Sequence, residues 1–531
     1  MNNCKYAFWR IKRWHFLSHS LNFSFSHFLN FSISHSLILL FSQFLILSIS
    51  QFLTSCDDYD TWTTSPSALL TMSQDTVAFD TIITNQGSTT RTLIASNPGD
   101  KGLRIRRVEL GQGASSPFHV NVDGQYLYGG VGEDFEVRAG DSIYVRIEAK
   151  LPAQDSDSIS ACSDRLLFTL ESGTVQSVLL TASGLDVVIL RGEVITQDRT
   201  LDARRPYQVF DSLVVAPGAT LTLPAGCTLM FHDQTSLLVH GTLHAEGTLE
   251  QPVTLRGDRV DRMFPYLPYD RTPNRWGGIR FFADSRDNRL TQCDIHSGDY
   301  AIQCDSTELL DPSQPLLVMR DCEVHNIGGP GLRFTHCATQ VLGTQISNTL
   351  GTTVSLLGGD HLFVHCTLAQ FYPLSANRGP ALEVGDSLLT GLDPKKDFTY
   401  YHLQRAEFLN CVITGYADDV FFGRFFRTTV DEAPFLFRNC LMRTPASDDE
   451  RMQSIVYDLP DSLEVNGDKH FRLLDTHNFI YDFTPDSLSA IRGMGDPEVA
   501  RLCPTDRRGI SRLTDGQPDA GAYQSSYKKE E

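Results

Sequence analysis

Between Arg256 and Trp276 the chain places three aspartates, Asp258, Asp261 and Asp270, beside Tyr269 and Trp276. Carboxylates gathered on one loop are the oxygen ligands that a hard cation such as calcium takes. An indole face and a phenol offer a sugar ring a stacking surface and a hydrogen-bonding tip. The same stretch carries Arg256, Arg259, Arg262 and Arg271, so each acid also has a guanidinium to pair with. Trp276 has a second use too, as the cover of a strand end. Arg256, Asp258, Asp261, Tyr269, Asp270 and Trp276 therefore form the candidate binding loop. Asp258, Asp261 and Asp270 are candidate calcium ligands, and no other cofactor is expected.

Catalysis leaves a fainter trace. A lyase acting on uronates needs a base, often Lys or Arg, beside a cation that acidifies the proton it removes. No lysine lies between Lys150 and Lys395, which leaves arginine. A hydrolase needs clustered carboxylates. Asp418 and Asp419 are adjacent, but neighbouring strand residues face opposite sides. His325 and His477 stand alone in the sequence. No nucleophile triad, phosphate-binding loop, dinucleotide fingerprint or zinc-ligand spacing occurs. The formal charge of −19 repels nucleic acid, which is not expected as a partner.

The elements that must position these residues announce themselves by repetition. A short phrase recurs around Cys293, Cys322, Cys366, Cys411 and Cys440, as in Leu290-Thr-Gln-Cys293-Asp-Ile295 and Phe408-Leu-Asn-Cys411-Val-Ile413. A further copy has Thr344 in place of cysteine. Apolar and polar residues alternate in each copy, which is strand periodicity. Steps of about 22 residues from Cys322 to Thr344 to Cys366 are one turn of a solenoid built from three short strands and their corners. The fold predicted is all-β, with these six side chains stacked as an inward ladder of small, free, apolar groups. Rungs ~4.8 Å apart in backbone are closer than disulfide-bonded Cα atoms usually stand.

Residues 1–55 read as an export signal: a basic head, then a long run of Leu, Phe, Ser and Ile. Leu53-Thr-Ser-Cys56 resembles a bacterial lipobox. That resemblance implies lipidation of Cys56, a membrane held through a lipid anchor, and residues 56–65 as a linker. Asp57-Asp58 resembles the acidic signal of surface-displayed Bacteroidetes lipoproteins. The implied address is the outer membrane, on the cell surface or the periplasmic face.

Residues 66–186 show short alternating runs broken by turns such as Asn97-Pro-Gly-Asp100. About seven strands at ~8–12-residue spacing predict an immunoglobulin-like sandwich. Leu93-Ile-Ala-Ser-Asn97-Pro-Gly99 resembles bacterial Ig-like domains of the ASH group, which implies a spacer or adhesion module. Residues 187–524 follow as the solenoid. Ser212-Leu-Val-Val215-Ala-Pro-Gly218-Ala-Thr-Leu221 resembles the entry coils of right-handed parallel β-helix proteins. Pro518-Asp519-Ala-Gly521-Ala-Tyr523-Gln524 resembles the ending that closes their last coil, with a polar tail at 525–531. Two functions suit this plan. One is a non-catalytic envelope scaffold that binds or adheres to polysaccharide. The other is a polysaccharide lyase or glycoside hydrolase on the same frame.

Overall fold

The computed structural model describes residues 61–308, 310–391, 397–426, 432–458, 467–514 and 517–525. The export signal, Cys56 and most of the polar tail lie outside these residues.

The first domain is a sandwich of two five-stranded sheets. One is ordered Thr71–Met72, Arg91–Ser96, Ser142–Ala149, Phe118–Val122, Gln125–Tyr126, and the other Thr76–Ile83, Val175–Leu185, Ser160–Leu170, Leu103–Leu110, Val131–Val137. Pairing is antiparallel except between Thr76–Ile83 and Val175–Leu185. Alternate residues, among them Val120, Val145, Phe168 and Val178, point inward and are fully or almost fully buried. Strand period two puts exactly one side-chain set between the sheets; the other set meets solvent.

From Val188 onward the chain is a parallel β-helix with three faces. Each coil contributes a strand to a ten-stranded back face, then to a ladder face, then to a groove face. In one coil these are Ala338–Leu342, Gln345–Thr349 and Val354–Leu357. In the next they are Gly359–Val364, Thr367–Gln370 and Leu382–Gly385. Register is maintained coil to coil, as where Ile295 pairs with Val324 and Val324 with Ile346. The tube is filled by Leu, Ile, Val and Phe from all three faces, including a stack of Phe363, Phe408 and Phe437 with centroids 4.9 Å apart.

The six ladder residues stand one above another at the corner between back face and ladder face, all fully buried. The residue before each, Gln292, Asp321, Gly343, His365, Asn410 and Asn439, has a positive φ of 47–58°. A left-handed residue is what turns the chain sharply from one face to the next. The thiols do more than fill space. Cys411 Sγ donates to Leu409 O at 3.3 Å and accepts the Cys366 N–H at 3.4 Å. Cys440 Sγ repeats this with Arg438 O and the Cys411 N–H, and Thr344 Oγ1 with Leu342 O and the Cys322 N–H. The ladder is therefore a hydrogen-bonded column that satisfies corner backbone, and purely apolar stacking is the wrong description of it. All ten described cysteines are free. Cys304 pairs in register with Phe334, and its thiol is hydrogen-bonded to that of Cys337.

The C-terminal segment does not sit on the end of the tube. Residues 486–525 run back as a strap along its flank. Tyr523 donates to Gln345 Oε1 at 2.6 Å, Ala522 N–H to Thr367 Oγ1, and Gly521 N–H to Asn410 O. Ala520, Ala522 and Tyr523 pack with Ala369, Val412 and Leu441 of the ladder face. Val499 and Cys503 pack with Leu342, Val364 and Leu409 on the back face. Apolar residues on the outside of both sheets need a cover, and the strap is that cover.

Past the last coils, Asp458 is buried among Arg443, Lys469 and His470. Lys469 Nζ and His470 Nε2 stand 2.8 and 3.1 Å from its carboxylate. Burial alone would raise the Asp458 carboxyl; the contacts from His470 and Lys469 outweigh it and bring it down to about 2. An unfolded aspartate titrates near 3.9. The stabilisation is thus complete above about pH 5 and is lost as pH falls towards 2, for a total of about 2–3 kcal/mol. Asp458→Asn should show a flatter stability profile between pH 4 and 2 than wild type in urea melts at stepped pH. Parallel profiles would refute the assignment.

Candidate functional site

The loop 257–275 leaves the ladder face after Val253–Gly257 and returns at Gly278–Phe281. Its three aspartates do not converge. Asp258 turns down to Gln208 Nε2 (2.9 Å) and His232 Nδ1 (2.8 Å). Asp261 takes both ends of Arg259 at 2.7 Å, and Asp270 pairs with Arg256 Nη1 at 3.0 Å. Each acid is engaged by a donor of its own. Tyr269 is faced by guanidinium groups, Arg259 at 3.9 Å and Arg275 at 5.3 Å. Trp276 is fully buried, flat on Phe231 at 4.5 Å, with its indole N–H donating to His296 O. It holds the corner together and offers no face to a sugar.

The loop's other role is to build walls. Arg262 reaches Asp80 of the sandwich at 3.4 Å, and Gln86 bonds Gln208 at 2.6 Å. Arg205 pairs with Asp155 and Asp157, so the sandwich is tied to the first coils. On the far side, Arg271 donates to Asn478 O, and Tyr266 stacks on His477 at 4.6 Å. A cleft of ≈ 640 Å³ opens there, lined by Phe264, Tyr266, Arg275, Tyr372, Leu374 and His477.

A second concavity runs along the groove face. Two adjoining hollows, ≈ 570 and ≈ 240 Å³, share Thr352, Glu383 and Arg424. Outward positions of successive coils line it, because strand alternation sends every second residue out. They are Arg333, Ser355, Glu383 and Phe422, in register. Arg333 is exposed and Phe422 half exposed, while Glu383 is paired with Arg424 at 2.9 Å. Tyr416, under Arg378 at 4.7 Å, closes one end. Of the aromatic cluster 421–426, Phe421 and Phe425 pack towards the core and Phe422 and Phe426 face out.

The ladder face carries a third feature. Asp294 Oδ1 lies 2.8 Å from His296 Nδ1 and 3.1 Å from His325 Nε2. The imidazoles stack at 4.8 Å across two adjoining strands. Among the described residues, this is a group of three side chains whose ligand atoms lie within 4.8 Å of one another. Burial raises the Asp294 carboxyl, but the two imidazoles outweigh it and hold it well below the usual range. Burial likewise lowers His325, and Asp294 overrides that, so His325 is raised. Arg256 with Asp270 flanks the group on one side, Glu323 with Arg507 of the strap on the other. His325 stands alone in the sequence, and the coil brings His296 and Asp294 to it. The signal was its position: His296 and His325 each stand three residues after a ladder cysteine, so the coil register stacks them.

No protein-family model matches the chain, and no curated protein matches it. Solved structures resemble parts of it, among them the following three. An ASH/PapD-like domain of the human protein CEP192 is 15% identical, over 23% of this chain and 90% of that one, with a TM-score of 0.16. A family 123 glycoside hydrolase from Clostridium perfringens is 6% identical, over 24% and 26%, at 0.17. A protein of unknown function from Porphyromonas gingivalis is 16% identical, over 25% and 60%, at 0.16. The chain thus spans about a quarter of the hydrolase and three fifths of the Porphyromonas protein. At these scores none of the three bears on fold or activity. Among the described residues no helix is long and apolar enough to cross a membrane.

Proposed function

We propose that this chain is an exported bacterial envelope lipoprotein whose solenoid is a rigid, non-catalytic scaffold for an extended polysaccharide. Cys56 is the lipid attachment point at the outer membrane, on the cell surface or the periplasmic face, and the Ig-like sandwich is the spacer. The observation that carries the binding role is the continuous groove with Arg333 and Phe422 on its floor. A linear polymer needs a surface that persists over several coils, and a stack of in-register strands supplies one at fixed spacing. Guanidinium groups on an otherwise acidic chain favour a ligand with carboxylates, and an exposed ring favours sugar stacking. Glu383 is engaged by Arg424, which suits binding better than proton transfer.

The test is a panel of uronate-rich and neutral polysaccharides, scored for retention in affinity electrophoresis and for product release. Uronate-rich polymers should be retained without cleavage. Arg333→Ala and Phe422→Ala should each weaken retention about tenfold, the loss expected for one charge-assisted bond or one stacking contact. Absence of retention by every polymer would overturn the reading. Cleavage products would replace it with the lyase or hydrolase alternative.

A further inference from the structure

We propose that Asp294, His296 and His325 form a three-ligand site for a divalent transition-metal ion, zinc in the first instance, with a remaining position open to water. The inference does not rest on the polysaccharide reading, and it concerns a different face of the tube.

The donor set comes first. Two imidazoles and one carboxylate suit zinc and its neighbours; calcium and magnesium prefer all-oxygen shells. Three protein ligands with an open position are the usual composition of a zinc site that keeps a water. Geometry comes second. Oδ1 lies 2.8 and 3.1 Å from the two ring nitrogens, and all three atoms fall within 4.8 Å of one another. A tetrahedral metal ~2.0–2.2 Å from each ligand needs separations of roughly 3.3–3.6 Å. The two hydrogen-bonded edges are shorter than that and open slightly as a metal displaces the shared protons, while the third, no more than 4.8 Å, closes by a tilt of the stacked imidazoles.

Rigidity comes third. Asp294 and His296 sit two apart on Cys293–His296, so both point outward. His325 projects from Glu323–Ile327, with His296 and His325 paired in the parallel ladder. The preceding corners are fixed by the buried Cys293 and Cys322. Such a frame holds ligands in place before any ion arrives, and little ordering entropy is left to lose on binding. Access comes fourth. The Asp294 and His325 side chains are 29% and 20% exposed, enough for an ion to enter from solvent. Charge also fits. Arg256 is matched by Asp270 and Arg507 by Glu323, which leaves the Asp294 carboxylate facing the two imidazoles.

The competing account is a plain hydrogen-bonded trio with Asp294 accepting from both rings. Titration of the full, metal-stripped chain with Zn²⁺ against a chromophoric chelator decides between them. One zinc per chain should bind, a large excess of Ca²⁺ should not displace it, and zinc K-edge absorption should give two imidazole nitrogens plus oxygen. Asp294→Asn and His325→Ala should each weaken binding by at least about 100-fold. His119→Ala, at an exposed histidine of the sandwich, should leave it unchanged. If a ligand variant fails to fold, the wild-type absorption spectrum still decides. No stoichiometric zinc, an oxygen-only shell, or equal affinity in folded ligand variants would each overturn the site.

Discussion

Cys411→Val should lower the stability of the solenoid by about 2–3 kcal/mol, while Cys411→Thr should cost less than about 1 kcal/mol. Valine and threonine have nearly the same shape, so the pair isolates hydrogen bonding from packing. Cys411 Sγ receives the Cys366 N–H and donates to Leu409 O. Valine leaves that buried N–H without an acceptor, and an orphaned buried donor carries its full desolvation penalty. Threonine can reproduce what Thr344 already does two rungs away in the column, donating to Leu342 O and accepting the Cys322 N–H. Thr344→Val should be as harmful as Cys411→Val, and Thr344→Cys nearly silent. The measurement is the urea midpoint of the solenoid transition, followed by far-UV circular dichroism. If valine and threonine behave alike at position 411, the ladder is mere filler and the hydrogen-bonded description fails.

Gly521→Val should release the C-terminal strap, at a cost of about 3–5 kcal/mol from backbone strain and lost contacts together. Gly521 has φ of 89°, a conformation that β-branched residues strongly resist. A Cβ there would stand 2.7 Å from Thr367 Oγ1 and 3.0 Å from Val412 Cγ2. The neighbouring contacts, Ala522 to Thr367 and Tyr523 to Gln345, depend on the same close approach. Limited proteolysis should then cut within 486–525 while the coils before Met442 stay protected. Exposure of Ala369, Val412 and Leu441 should also raise binding of a hydrophobic dye. An unchanged cleavage pattern would mean that the strap is held by its other contacts, such as Arg507 with Glu323.

Much of the architecture was legible because a solenoid writes its period into the chain. Cys322, Thr344 and Cys366 are evenly spaced, and that spacing alone places strands one above another. What the thiols do there was not legible, since a buried thiol serves equally as a small hydrophobe and as a weak donor and acceptor. Thr344 was the clue: a hydroxyl in an apolar column needs partners. Trp276 and the loop aspartates each carried two readings, and the structure takes the packing one. Arg259 and Arg256, near in sequence, hold Asp261 and Asp270, whereas the partners of Asp258, Gln208 and His232, come from neighbouring coils and were not legible. The closing motif at 518–524 indicated a cover and not its place, because flank and end are both apolar surfaces. The Asp294 trio required reading two copies of the phrase in parallel at the same offset.

The left-handed corner followed by a hydrogen-bonding rung has a consequence for how such a protein changes over time. The same closure recurs at Thr344, Cys411 and Cys440, so an internal duplication of one coil, such as the span from Gly343 to Val364, inserts a new storey without disturbing the others. The tube would lengthen by ~4.8 Å per storey, and each addition would bring fresh turns free to diversify. Length and decoration can vary by whole units under such a scheme; a deletion of one or two residues at a corner cannot be accommodated.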